Sequence, residues 1–334
     1  MKSTIFITES GEKIGFGHLY RSIALAQMFL SQGYKVTFLC DDVSGVTLIN
    51  TKIPLANVFS IKEFPQHISL HSILIIDVHF GSFKNFEEVV KKYPGKSATI
   101  IDHTFRKYAL KTDFIFEIAF QNYDQKKEME LLPSGRQVTK FSGNDFFMFR
   151  EEFINVNRFV VKERADKILV TMGGSDPDRI TEKMLESISL IKRPLSATFI
   201  LGPGIEGQRV DSIKLMAACR GFRICQNAED LVDEMLNHDI AIINGGNTRF
   251  ELALIGTPFL SISLNARQHE ISAHISEAGI GKALGINSEL TPETIAFEVA
   301  KLLDDFSARK HMSDSMIKLI SVGGCYRIFE YITS

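Results

Sequence analysis

His18 is the residue in this chain best placed for acid–base chemistry. It stands in Gly15-Phe16-Gly17-His18-Leu19-Tyr20-Arg21-Ser22, between a strand-like run and the first long helix. Ser3 to Thr8 is apolar enough for a buried strand, and from His18 to about Gln32 the residues Leu19, Ile23, Leu25, Ala26, Phe29 and Leu30 recur at helical spacing. A glycine-bearing loop therefore opens onto a helix N-terminus, where unpaired N–H groups and the positive end of the helix dipole attract anions. The same field disfavours a protonated imidazole, and a neutral imidazole is what a general base needs. A histidine here equally serves to finish a helix end, and both readings stay open on this residue alone.

Two further loops have the same setting. Met172-Gly173-Gly174-Ser175 follows a strand expected at 167–172, and Asn244-Gly245-Gly246-Asn247-Thr248 follows one expected at 239–243. In the latter, the N–H groups of Gly246, Asn247 and Thr248 suit a diphosphate, and Glu251 one turn on suits the hydroxyls of a ribose. Thr248 and Glu251 also have the spacing of a capping box, which would satisfy the helix end without a ligand. Gln268 and His269 follow the next strand and an exposed loop, within reach of a sugar hydroxyl or phosphate. Asp77 ends one buried strand and Asp102-His103 another, at the strand ends where open α/β sheets place their ligands; aspartate is also common in plain turns. A dinucleotide reading of Gly15-x-Gly17 fails on two counts: Tyr20 occupies the third glycine position, and the loop from Thr8 is long for that turn.

The elements that must hold these residues alternate. The first half has strands at 3–8, 35–40, 73–77, 98–101 and 113–119 and helices near 18–32 and 84–92. The second has strands at 167–172, 196–201, 222–225, 239–243 and 258–263 with helices between them. Such alternation means parallel sheets with helices on both faces, an α/β fold built twice. Residues 121–145 are polar and are expected as surface loops, and Asp176-Pro177 is expected to cap a helix starting at 177. Phe80, Phe83 and Phe86 have the spacing of a helix face packed inward. The expected domains are 1–155, 156–320 and a terminal helix at 321–334 that packs back on the first. With 334 residues and 45% hydrophobic content the chain can bury two cores, and a net charge of -2 argues against nucleic acid or an anionic membrane as partner. Cys40, Cys219, Cys225 and Cys325 are scattered, without metal-ligand spacing. A soluble cytoplasmic protein, monomeric or weakly dimeric, with a small-molecule ligand is the expectation.

The segment GFGHLYRSIALAQMF resembles the G-x-G-H-x-x-R motif of the UDP-sugar hydrolases of pseudaminic acid biosynthesis and the related spore-coat polysaccharide proteins. Gln121-Asn122, SGNDFFMFREEF, ILVTMGGSDP, INGGNTRFELALIGTP and the terminal GGCYRI continue the likeness in order along the chain. The resemblance implies a GT-B architecture of two facing Rossmann-like domains, similar to the N-acetylglucosaminyltransferase that makes lipid II. It implies that water attacks the anomeric carbon of a UDP-linked 2,4-diacetamido-2,4,6-trideoxyhexose and releases UDP with inversion, with no metal or other cofactor required. A glycosyltransferase of the same fold and a non-catalytic sugar-nucleotide-binding partner protein are the alternatives. On this likeness His18, with Asp77, is expected to be catalytic. Gly17, Arg21, Gly174, Ser175, Gly245, Gly246, Asn247, Thr248, Glu251 and Gln268 are expected to bind substrate or nucleotide. Where these hydrolases tend to have D-x-Y and D-D, this chain has Asp77-Val78-His79 and Asp102-His103, so His79, Asp102 and His103 are candidates for the sugar pocket.

Overall fold

A computed structural model describes residues 2–12, 14–63, 72–102, 109–118, 126–131, 135, 137–226 and 231–334. His103, Gln121 and Asn122 lie outside the described residues. The chain divides into two compact units, Met1–Glu151 with Ser321–Ser334, and Glu152–Ile320.

The first unit runs β1 (Ser3–Thr8), α1 (Gly17–Ser31), β2 (Lys35–Leu39), α2 (Val43–Lys52), β3 (Asn57–Phe59), β4 (Ser72–Asp77), α3 (Phe83–Lys92), β5 (Ser97–Asp102), β6 (Phe114–Ile118), β7 (Lys126–Leu131) and β8 (Gln137–Ser142). Its sheet has the order β3-β2-β1-β4-β5-β6-β8-β7. All pairings are parallel except β7 with β8. The central strands β1 and β4 are buried almost throughout, which is why their sequences read as continuous apolar runs rather than alternations. Residues 121–145, expected as loops, instead contribute the hairpin β7–β8. Of the two, β7 carries lysine and glutamate because it forms the edge of the sheet, where one face and one rim meet water. Phe83 and Phe86 are buried in the core beneath α3, as their spacing suggested.

The unit is closed by the C-terminal segment. A helix at Gly324–Thr333 packs on α1, with Phe329 edge-on to Phe29 at 5.0 Å and to Tyr34 at 5.7 Å. Its first residue must be glycine, since a Cβ on Gly324 would lie 2.1 Å from the carbonyl oxygen of Phe147.

The second unit continues with β9 (Lys167–Thr171), α4 (Ile180–Ser189), β10 (Ser196–Leu201), α5 (Gln208–Ala218), β11 (Arg223–Gln226), α6 (Leu231–Asn237), β12 (Ile240–Asn244), α7 (Thr248–Ile255), β13 (Phe259–Ser263), α8 (Ala266–Glu277), β14 (Lys282–Ile286), α9 (Pro292–Asp304) and α10 (Phe306–Leu319), before the terminal helix, α11. Its sheet is wholly parallel in the order β11-β10-β9-β12-β13-β14. Thr291 caps α9 and Pro292 opens it; Gly256 ends α7 in the left-handed region at φ 92°. Asp176 does not start a helix at 177. Its carboxylate accepts from the N–H groups of Ile180 and Thr181 at 2.8 and 2.9 Å and so caps α4 from across a turn. Among the described residues no helix is long and apolar enough to cross a membrane.

Candidate functional site

Both sheets reverse their strand order at a central pair, β1 with β4 and β9 with β12. The crevice beyond the carboxyl ends of such a pair is where open α/β sheets bind ligands. In the first unit Thr8 and Asp77, the last residues of β1 and β4, are register partners. The loop after β1 folds over this point, Gly15 N–H donating to the Gly11 carbonyl at 2.7 Å, and delivers His18 as the second residue of α1.

His18 Nδ1 lies 2.7 Å from Asp77 Oδ1. Arg21, one turn further along α1, grips the same carboxylate with Nε to Oδ2 at 2.7 Å and Nη2 to Oδ1 at 2.6 Å, and Ser22 Oγ donates to Oδ2 at 3.3 Å. Arg21 Nη1 reaches Asp102 Oδ1, at the end of β5, at 3.2 Å. An ionised carboxylate can only accept, so the short contact to His18 requires the proton on Nδ1; in the neutral imidazole the lone pair then lies on Nε2. Arg21 Nη2, at 2.9 Å from Nδ1, then sits beside that bond and donates to Asp77. The His18 side chain is 15% exposed and that of Asp77 only 1%: the imidazole meets solvent while its orienting carboxylate does not.

Burial by itself would raise the Asp77 pKa. The neighbouring Arg21 charge, then His18, and their hydrogen bonds outweigh it and hold the carboxyl below its ordinary value. For Arg21 burial works to lower the pKa, and Asp77 and Asp102 together push it up. Both therefore remain charged.

Arg21, expected to touch substrate, is 2% exposed and spends its donors on the two aspartates. It is a support beneath the histidine. Its position was readable from spacing, since His18, Arg21 and Ser22 are three and four apart and share one face of α1. Gly17 is the first residue of α1, directly after Phe16 at the N-cap. Asp102 is 16% exposed and faces the same network. His79 takes another role: its Nδ1 accepts from Gly81 N–H at 3.3 Å, its ring packs 4.1 Å from that of Phe80, and its own N–H donates to Glu9 Oε2 at 3.0 Å. Glu9, which links the loops after β1 and β4, carried no signal in the sequence.

In the second unit Gly173, Gly174 and Ser175 follow β9, and Gly245, Gly246, Asn247 and Thr248 follow β12. Asn244 ties these loops together, donating from Nδ2 to the Met172 carbonyl at 2.6 Å and accepting at Oδ1 from Gly246 N–H at 3.0 Å. The Gly246 amide, expected to face a diphosphate, is thus turned inward. Gly202 and Gly204 after β10 complete the cluster: a Cβ on Gly202 would lie 2.2 Å from the Gly173 carbonyl, and Gly204 N–H donates to the Gly174 carbonyl at 2.8 Å. The sequence places Asn244 at the head of this loop without giving it a role, and the Gly202 loop carries no signal there. The capping box is not formed, because α7 starts at Thr248 with Asn247 as N-cap and without a side-chain capping bond. Glu251 lies in the first turn of α7 at 8% exposure. Gln268 packs against Gly245 and directs Oε1 to Leu264 N–H at 2.8 Å. The two-fold use of a strand-order reversal gives one unit an oriented imidazole and the other a set of backbone N–H groups at a helix start.

No family model matches the chain. It is 24% identical over 285 residues to an uncharacterized protein of Methanocaldococcus jannaschii, spanning 79% of this chain and 56% of that protein. It is 21% identical over 191 residues to the spore coat polysaccharide biosynthesis protein SpsG of Bacillus subtilis, spanning 56% of each. The chain thus spans little more than half the length of these two relatives. With the UDP-2,4-diacetamido-2,4,6-trideoxy-beta-L-altropyranose hydrolase of Campylobacter jejuni it shares 21% identity over 281 residues, 82% of this chain and 96% of that one. Among solved structures, MurG of Acinetobacter baumannii superposes with a TM-score of 0.69 at 13% identity over 99% of both chains. The Anabaena HepE protein in complex with UDP-glucose gives 0.62 at 10% identity, over 100% of this chain and 99% of that one. The chain has the α/β fold of the GT-B glycosyltransferases, with two parallel-sheet domains.

Proposed function

We propose that this protein is a cytoplasmic nucleotide-sugar hydrolase acting on a UDP-linked 2,4-diacetamido-2,4,6-trideoxyhexose in the synthesis of a surface glycan. The observation that carries the reading is the His18 imidazole held by buried Asp77 with its Nε2 lone pair available. In the reaction a water oxygen bonds to the anomeric carbon from the face opposite the leaving group. Its proton passes to His18 Nε2, and the electron pair of the breaking C–O bond leaves with UDP, so the configuration inverts. Asp77 keeps the imidazole in the accepting tautomer and stabilises the imidazolium that forms. In the C-terminal unit the Asn247 and Thr248 amides with the α7 dipole receive the diphosphate, Glu251 the ribose, and Gly174, Ser175 and Gln268 border the nucleotide. The name of the Campylobacter relative supports this substrate class.

The likeness to glycosyltransferases favours a second reading, in which an acceptor hydroxyl takes the place of water. Phosphorus NMR of the protein with the UDP-sugar and no acceptor separates the two. Release of UDP by wild type, lowered by about 10²–10⁴-fold in His18→Ala with UDP binding retained, is the expected result. An intact substrate that nevertheless binds would overturn hydrolysis in favour of transfer, and equal release by the variant would remove His18 from the chemistry.

A further inference from the structure

Arg249 is the second residue of α7 and is 2% exposed. Its guanidinium Nη1 donates back to the carbonyl of Gly245 and, at 3.1 Å, to that of Gly246, while the group lies 4.8 Å over the centroid of the Phe250 ring. Burying a guanidinium is costly unless its donors are used; here Nη1 serves both carbonyls that precede the helix. A trans peptide sets its C=O and N–H in opposite directions, and among the described residues no peptide bond is cis. Tethering the Gly246 carbonyl to Arg249 therefore turns the Asn247 N–H toward the other side of the loop. Asn244 Oδ1 meanwhile holds the Gly246 N–H. The loop has little room to rearrange, since a Cβ on Gly246 would lie 2.8 Å from Asn244 Oδ1 and one on Gly245 3.3 Å from Gln268 Cβ.

We infer that Arg249 is a positioning residue for nucleotide binding: by holding the Gly246 carbonyl it presets the Asn247 amide at the start of α7 for a diphosphate. This rests on the UDP-binding reading above.

The test is calorimetric titration of the full chain and of Arg249→Met and Arg249→Lys with UDP and with uridine, beside a thermal melt of each. Wild type is expected to bind UDP more tightly than uridine. In Arg249→Met the UDP affinity is expected to fall by about tenfold or more and the uridine affinity by less than about twofold, because only the diphosphate uses the preset amide. Arg249→Lys keeps a charge and a donor but lacks the fork, and is expected to fall between. A merely structural role would lower the melting temperature and weaken both ligands alike. Arg249→Met with the wild-type ratio of UDP to uridine affinity overturns the inference. If that variant fails to fold, an unchanged ratio in Arg249→Lys overturns it and a reduced one supports it. A wild type that does not prefer UDP over uridine would instead refute the UDP-binding reading.

Discussion

Replacing Asp77 by Asn tests the network under His18 most directly. The carboxylate accepts from His18 Nδ1, from Arg21 Nε and Nη2, and from Ser22 Oγ, all within 3.3 Å, at 1% exposure. Asparagine keeps the shape, removes the charge, and puts an NH2 group where one of these donors now points. Removing one partner of a buried ion pair typically costs about 3–5 kcal/mol. Arg21 retains Asp102 at 3.2 Å, so the loss belongs at the lower end, about 3 kcal/mol. For a unit of this size that corresponds to a fall of roughly 6–12 °C in Tm. Scanning calorimetry of wild type and variant reads it.

The pH dependence has a definite sign. Folding depresses the Asp77 carboxyl, so its contribution is complete above the ordinary value of 3.8 and is lost as pH falls through the lower folded-state value. The gap between wild type and Asp77→Asn is therefore constant near neutrality and closes in acid, below about pH 4. In the double variant Arg21→Met with Asp77→Leu only the partly exposed Asp102 loses its partner, and it is expected to lose about 2 kcal/mol less than the sum of the single changes. An Asp77→Asn protein melting within about 1 °C of wild type, or a gap that widens in acid, would refute the reasoning.

Glu251→Ala is expected to weaken UDP by about tenfold, with little change in kcat, by titration and steady-state kinetics; normal UDP binding would remove Glu251 from the ribose. Gly324→Ala places a Cβ 2.1 Å from the Phe147 carbonyl and is expected to destabilise the first unit by about 1–3 kcal/mol in urea unfolding. Tyr93 donates its hydroxyl to the Ser72 carbonyl at 2.5 Å, and burial pushes its pKa up to about 12. In a spectrophotometric titration one tyrosine is then expected to ionise last, a step absent from Tyr93→Phe.

Legibility followed burial. The apolar cores of β1, β4, β9 and β12 could be read because both faces of these strands are covered, and α1 because its apolar residues recur along the helix. The elements that escaped lack such a stripe. Helix α2 buries only Gly45 and Ile49 among its described positions, so no period shows. Helix α10 buries Arg309 and Ser313 beside Met316; Arg309 donates to the carbonyls of Leu302, Lys162 and Glu163, and an arginine used this way looks like surface in a sequence. Strand β7 was hidden by the charges that its edge position favours.

By itself the sequence determined the doubled α/β plan, the glycine loops at helix starts and His18 as the base candidate, because hydrophobic period and turn chemistry are local properties of the chain. Only the tertiary structure decided that His18 meets Asp77 across 59 residues, that Arg21 is buried against Asp77 and Asp102 beneath this pair, and that Asn244 and Arg249 shape the loop before α7. Those neighbours are set by strand order and register, which bring the ends of β1 and β4 side by side, and no local pattern of residues records which ends will meet.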